Sequence, residues 1–142
     1  MTKGDSVMTI GDQLDGTTAE KVFDLEERTA LFGEEVIDFC KPIKLTAITD
    51  PLVRQIIRSG TSVGSNYCEA DDAVSKKEFR QKIGTCKKES RETKFWLRMI
   101  AKAEPAHADP ARSLWKEANE LHLIFASIFR KLSATETRPK KP

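Results

Sequence analysis

The side chains that most often carry out chemistry are scattered along this 142-residue chain and form no catalytic set. His107 and His122 have no acid, cysteine or second histidine at the spacing of a metal site. Glu34 and Glu35 are adjacent, so on a helix they point to different faces and do not make the inward carboxylate pair of a di-iron bundle. We therefore expect no enzyme activity, no metal site and no cofactor.

The cysteines indicate a reducing compartment. Cys40, Cys68 and Cys86 are odd in number and lack paired ligand spacing, which fits poorly with a secreted disulfide framework. The first residues contain no continuous apolar stretch typical of a signal peptide, and no later run approaches the roughly 18 apolar residues of a membrane span. We expect a cytoplasmic protein with no membrane partner.

Basic side chains on one flank of a predicted third helix are the strongest functional candidate. Residues 76–102 carry ten Lys or Arg and three Glu, a net charge of +7, whereas residues 1–50 carry five against eleven Asp or Glu, a net charge of −6. The basic residues in question are Lys77, Arg80, Lys87, Arg91, Lys94 and Arg98, with Lys88 extending the face outward. Such a stripe predicts binding to the phosphates of RNA or DNA, with little sequence preference because no base-reading element accompanies it.

Other interpretations of this stripe stay open. It is also typical of a solvated helix face, or of a surface that docks on acidic residues of another copy, such as Glu27, Glu34 and Asp38 on the first helix. The competing function is therefore a protein-interaction scaffold or accessory subunit that binds a protein partner and no nucleic acid. The salt dependence of binding to random RNA and DNA distinguishes the two functions.

A second group of apolar residues falls outside the core stripes and predicts self-association. On the third helix, Phe95 and Met99 lie away from the core stripe and Trp96 flanks it; on the first helix, Leu31 and Ile37 point outward. Extra apolar faces on a charged protein usually form a protein interface, although scattered surface residues are the alternative. Periodicity predicts an oligomer but does not give the number of subunits.

The first helix has clear start and stop signals. Asp24 with Glu27 forms a capping box at its beginning, and Pro42 disfavours helical backbone just before it, so the helix should end near Cys40. Its inward stripe is Leu25, Thr29, Phe32, Val36 and Phe39.

The second helix should start at Asp50 and Pro51, an N-cap followed by a first-position proline, and run to about Ala73. Gly60 and Gly64 make its middle thin, which permits close approach of a neighbouring helix at a loss of roughly 1 kcal/mol per glycine relative to alanine. Its apolar and small face is Leu52, Ile56, Gly60, Val63, Tyr67, Ala70 and Val74.

A polar flank of the same helix contains Arg58, Asn66 and Glu69. We expect these side chains to form hydrogen bonds within or between bundles. A binding role for Arg58 stays open.

The third helix should span residues 76–103, starting from a capping box of Ser75 and Glu78, and the fourth should start at Asp109 and end near Leu132. The inward stripe of the third helix is Phe79, Ile83, Cys86, Ser90, Thr93, Leu97 and Ile100. That of the fourth is Leu114, Ala118, Leu121, Phe125, Ile128 and Leu132. Ser90 and Thr93 should face the small residues of the second helix.

Four such stripes joined by short connections predict an all-α, antiparallel up-down four-helix bundle. One domain is expected for a chain of this length. The predicted organisation is a disordered leader over residues 1–22, the bundle over 23–132 and a disordered basic tail over 133–142.

Four motifs add a family resemblance to this reading of the residues. They are FDLEERT (23–29), RSGTSVGSNYCEA (58–70), SKKEF (75–79) and KESRETKFWL (88–97). In matching order, they resemble the bacterial four-helix-bundle family named after proteins encoded in intervening sequences of 23S rRNA. The resemblance covers about Phe23 to Leu132; the leader, the tail and Cys68 depart from it.

The resemblance implies an antiparallel bundle that assembles into a homopentamer, in a family without an established activity. A structurally similar relative is the accessory protein of diversity-generating retroelements, which partners a reverse transcriptase and binds nucleic acid. Fold transfers along such a resemblance more safely than function.

Overall fold

The computed structural model describes residues 25–137, which form four α-helices and a short 3-10 helix. The helices are α1 (Leu25–Cys40), α2 (Thr49–Asp71), α3 (Lys76–Ala103) and α4 (Ala108–Thr137), and the 3-10 helix Pro105–His107 precedes α4. α2 packs against α1 and α3, and α4 packs against α3 and α1, so α1 and α3 lie diagonally across the core. This arrangement confirms the predicted all-α four-helix bundle. None of the described helices is long and apolar enough to cross a membrane.

The start of α2 differs from the prediction. The backbone of Ile48 is already helical, with φ −89° and ψ −48°, and α2 begins at Thr49. The hydroxyl of Thr46 accepts hydrogen bonds from the backbone N–H groups of Ile48 (3.2 Å) and Thr49 (3.1 Å), and Thr49 Oγ1 accepts one from Thr46 N at 2.8 Å. This reciprocal threonine pair caps the helix, so Asp50 lies in the first turn and is not the N-cap.

The other helix ends are partly as predicted. Ser75 Oγ accepts a hydrogen bond from Glu78 N at 3.0 Å, which confirms that cap, and the Glu78 carboxylate reaches the N–H of Val74 at 3.1 Å. α2 ends at Asp71, so Val74 lies in the connection between α2 and α3 and is 93% exposed. The prediction that Val74 belongs to the inward face of α2 was therefore wrong.

α4 is longer than predicted at both ends. It begins at Ala108, because the 3-10 turn leads directly into it, so Asp109 lies in its first turn. It continues to Thr137, so residues 133–137 are helical where a disordered tail was predicted. The predicted cap Asp24, the leader and the end of the tail lie outside the described residues.

The core is formed by the inward stripes of all four helices. Phe32, Ile56, Ile83, Leu97 and Phe125 are among its fully buried side chains. As predicted, Thr93 faces α2, where its hydroxyl donates to Ser59 Oγ at 2.9 Å. The half-buried positions Leu52, Phe79, Ile128 and Leu132 pack at the edge of this core.

The thin face of α2 packs closely against α1. A Cβ atom built on Gly60 would lie 2.8 Å from Cγ2 of the buried Val36, and one on Gly64 would lie 3.2 Å from the carbonyl oxygen of Thr29. Glycine is therefore required at position 60 for the two helices to approach this closely.

Candidate nucleic-acid interface

The acidic side chains of α3 are drawn toward α2. Arg58 of α2 donates from Nη1 to Glu89 Oε1 at 3.2 Å and also binds Glu92. Glu92 Oε2 accepts a further hydrogen bond from the indole N–H of Trp96 at 3.0 Å. Together with Glu78, which caps the helix, these are all the acids of α3, so none of them neutralises the flank that faces α4.

The polar side chains of α2 form their contacts within the bundle, which is one of the two expected arrangements. Arg58 holds the two α3 carboxylates, Glu69 forms an ion pair with Lys82, and Asn66 donates to the carbonyl of Ser62 at 2.9 Å.

On the flank of α3 that faces α4, cations lie over aromatic rings. Arg80, Lys87 and Lys94 are spaced seven residues apart on α3. On α4, Trp115 and Phe129 are fourteen residues apart, which is two such steps. Lys94 Nζ lies 5.2 Å from the ring centroid of Trp115. Lys87 Nζ lies 5.4 Å and Arg80 Cζ 5.9 Å from the centroid of Phe129. These cation–π contacts hold the basic groups along the boundary of the two helices.

His122 lies midway in sequence between Trp115 and Phe129 and is close to three cations of this flank. Burial lowers its pKa below the ordinary value of 6.5, and Lys94, Lys87 and Arg91 lower it further. Its Nδ1 atom is buried and makes no hydrogen bond to any residue in the range 25–137. Burial therefore favours the neutral form of the imidazole, and the three nearby cations favour it further.

The remaining predicted basic residues point to solvent. Lys77, Lys88, Arg91 and Arg98 are exposed, and within the described part of the chain no hydrogen bond or ion pair holds them. We call the set on this side of α3 the basic flank; its members are Lys77, Arg80, Lys87, Lys88, Arg91, Lys94 and Arg98.

Two features beside the basic flank were not predicted from the sequence. The rings of Trp115 and Phe129 lie against its cations, and Arg112 of α4 shares a cavity with Arg98 and Trp115. The seven-residue recurrence on both helices was the available signal, but only the register between α3 and α4 shows which cation meets which ring.

The acidic residues of α1 lie on the other side of the core. Glu27 and Glu34 line the groove between α1 and α2, together with Ile37. Glu35 and Asp38 line the groove between α1 and α4, so Glu34 and Glu35 do lie on different faces. Burial, Glu117 and Asp38 raise the pKa of Glu35. The bundle is thus acidic along α1 and basic along α3.

The candidate interface residues occupy three surfaces. Phe95 is 51% exposed on α3, Leu31 is 47% exposed in the α1/α4 groove, and Ile37 is 40% exposed in the α1/α2 groove. Trp96 and Met99 are half-buried. The rings of Phe95 and Trp96 make an edge contact with centroids 4.9 Å apart. Phe95, Leu31 and Ile37 are therefore exposed apolar side chains on three different surfaces of the bundle.

Residues 25–137 contain no group of histidine, cysteine and acidic side chains that could hold a metal ion. Burial raises the pKa of Cys40 to about 11 and that of Cys86 to about 12, so both thiols stay protonated at neutral pH. Cys68 is exposed.

Comparison with known proteins agrees with the fold. Residues 24–127 match the sequence model of a family described as 23S rRNA-intervening sequence protein. No curated protein gives a significant match. The chain is similar to the 1.70 Å crystal structure of a protein with unknown function from the S23 ribosomal protein family of Bacteroides thetaiotaomicron, with 27% identity and a TM-score of 0.65 over 73% of this chain and 96% of that chain. The chain therefore belongs to the family of 23S rRNA-intervening sequence proteins.

Proposed function

We propose that this protein is a non-catalytic, homo-oligomeric helical bundle that binds RNA or DNA without sequence preference through the basic flank. The observation that carries this proposal is the sorting of charge on α3. Glu89 and Glu92 are neutralised by Arg58 on the α2 side. Within residues 25–137, no ion pair holds the exposed cations of the basic flank, which are Lys77, Lys88, Arg91 and Arg98.

The shape of the basic flank suits a polyanion. From Lys77 to Arg98 the cations follow one helix for about 32 Å, at 1.5 Å per residue. A nucleic-acid backbone presents phosphates continuously over such a length, and each neutralised phosphate releases a counterion. The basic flank does not belong to the recognition helix of a helix-turn-helix motif. Its contacts with phosphates would therefore position the nucleic acid without reading its bases.

Assembly would strengthen this binding. Phe95, Leu31 and Ile37 are exposed apolar residues on a highly charged surface, which supports an interface between copies. Repeating the basic flank around an oligomer gives several weak phosphate contacts a high effective concentration. The family resemblance leads us to expect five subunits, and the cysteine content a cytoplasmic location.

A protein-interaction scaffold is the second candidate function. It is supported by the opposite charges of α1 and α3, each with an exposed apolar residue close by. An acidic face with Ile37 on one copy and a basic face with Phe95 on the next are complementary in both charge and apolarity. In this case the basic flank would be covered in the assembly or by a protein partner.

Fluorescence anisotropy with labelled random RNA and random DNA of about 30 nucleotides tests the proposed function. We expect binding to both at low ionic strength and a linear loss of log affinity with log salt concentration. Sedimentation of the same sample establishes that the oligomer is the species that binds. No change in anisotropy at low salt would exclude the nucleic-acid function and favour the scaffold.

A further inference from the structure

A cavity of about 210 Å³ lies where α3 passes through the 3-10 helix into α4. Its lining includes three alanines, two arginines and one indole: Ala101, Ala108, Ala111, Arg98, Arg112 and Trp115. The alanines are the reason the cavity exists, because larger side chains at those positions would fill the space between the helices.

The polar part of the lining selects an anion. Arg98 is exposed and has no ion-pair partner within residues 25–137. Arg112 is 65% exposed and binds only the neighbouring Asp109, at 2.8 Å, an exposed pair of the kind that contributes little. Both guanidinium groups can therefore bind phosphate oxygens. The larger grooves beside α1 are lined by Glu27, Glu34, Glu35 and Asp38 and would repel the same ligand. Arg28, which lines one of them, is already paired with Glu117 at 2.8 Å.

The apolar part of the lining selects a flat ring. Trp115 is 39% exposed, and its indole borders the cavity while Lys94 lies over the ring. Exposed aromatic rings beside cations are the platforms on which single-stranded nucleic acids stack their bases. A tryptophan, small apolar residues and two arginines line one cavity, and together they match a nucleotide.

We propose that this cavity receives one unpaired nucleotide of a single-stranded RNA or DNA, with its base against Trp115 and its phosphates at Arg98 and Arg112. The cavity adjoins the basic flank, since Arg98 belongs to both and Lys94 lies over the ring of Trp115, which lines the cavity. A base in a duplex is held in the stack and enters only after unpairing, which is unfavourable. The protein therefore prefers single strands to duplexes. This inference rests on the proposed nucleic-acid binding.

Trp115 itself supplies the readout. The chain has two tryptophans, so Trp96→Phe leaves Trp115 as the sole indole. In that protein we expect a 15-nucleotide oligothymidylate to quench the fluorescence and to bind about tenfold more tightly than a blunt duplex of the same length. Stacking of one base accounts for such a factor.

Two uncharged changes separate the cavity from the basic flank. Trp115→Leu removes the platform, and Ala101→Leu fills the cavity while keeping the indole. Each should weaken single-strand binding about tenfold and leave the salt slope unchanged, because no cation is lost. Ala101→Leu should also leave duplex binding unchanged, whereas Trp115→Leu removes the ring under Lys94 and carries no expectation for duplexes. Thermal melting establishes whether each variant is folded. The quenching measurement uses neither of these two variants, so it tests the proposal even if both fail to fold.

These outcomes distinguish failure of the cavity proposal from failure of the proposed nucleic-acid binding. Equal affinity for single strand and duplex, or binding without quenching, would overturn the cavity and leave nucleic-acid binding in place. A single-strand preference that survives in both folded variants would also overturn the cavity. Failure to bind either ligand at low salt would overturn both proposals.

Discussion

Lys94 Nζ lies 5.2 Å from the ring centroid of Trp115 and donates a hydrogen bond to Asn119 Oδ1 at 2.9 Å. Burial and the neighbouring Arg91 lower the pKa of this lysine. A cation fixed at a helix boundary in this way loses less side-chain entropy on meeting a phosphate than a freely rotating one. The contact also links α3, which supplies the charge, to α4, which supplies the rings.

The imidazole of His122 should report polyanion binding. We expect a pKa below 6.5 in the free protein, because burial, Lys94, Lys87 and Arg91 all disfavour the imidazolium. A bound polyanion offsets those charges, so the pKa should rise, and by linkage affinity should increase as pH falls through this range. NMR titration of the Cε1–H signal measures both values. A free-protein pKa at or above 6.5 would contradict the described surroundings of His122.

The Arg58 cluster should contribute to stability in a pH-dependent way. Burial raises the pKa of Glu92, but the hydrogen bonds from Trp96 and Arg58 outweigh it, so the pKa lies below 4.5. The stabilisation is therefore present above about pH 4.5 and is lost as pH falls through the folded-state value. Arg58→Gln should reduce the free energy of unfolding by about 1 to 2 kcal/mol at pH 7, less than for a fully buried pair.

Urea unfolding at pH 7 and pH 3 checks this prediction, and the loss should be smaller at pH 3. Arg54→Gln is the matched control, since Arg54 binds Asp50 in an exposed pair at 3.2 Å and should contribute less than about 1 kcal/mol. Equal losses in the two variants would show that the α2/α3 cluster is no stronger than a surface pair.

Two glycine-to-alanine changes test the close approach of α1 and α2. Gly60→Ala places its Cβ 2.8 Å from Val36 Cγ2 in the buried core, and we expect a loss of about 1 to 3 kcal/mol from overpacking. Gly33→Ala meets its nearest atom at 3.6 Å, an ordinary contact, so the gain in helix propensity should make it neutral or stabilising by up to about 1 kcal/mol. Thermal unfolding that ranks the two variants in the opposite order would show that the helices are not held at this distance.

The sequence predicted the helices and their inward faces well, because apolar periodicity reports directly on burial. It placed α3 correctly at both ends. The predicted N-cap of α2 was wrong, because Asp50 and Pro51 are a stronger local signal than Thr46. The hydroxyl of Thr46 caps the helix only once the chain has turned. The ion pair of Arg58 with Glu89 and the contact of Lys94 with Trp115 depend on the registers between helices, and periodicity within one helix does not contain them.

The exposed apolar residues should mediate self-association. Sedimentation of the wild-type protein at tens of micromolar should give a mass several times 16.0 kDa. Replacing Phe95 and Met99 with polar residues should shift the mass toward the monomer, because their burial would supply much of the interface energy. If the double variant stays fully oligomeric, Leu31 and Ile37 become the candidates. A monomeric wild type would contradict the prediction.

Salt titration of nucleic-acid binding to a basic-flank variant tests the central claim most directly. The variant replaces Lys87, Arg91 and Lys94 with glutamine, and the matched control makes the same change at Lys41, Lys44 and Arg54, which lie in or next to the α1–α2 connection. Each phosphate contact contributes about 0.7 to the slope of log affinity against log salt for single strands and about 0.9 for duplexes. The basic-flank variant should bind all sequences more weakly and show a flatter slope, by about 2 for single strands if all three cations contact phosphate. The control should keep the wild-type slope. If both variants bind with the wild-type affinity and slope, or if both are weakened equally, the basic flank is not the surface that binds nucleic acid.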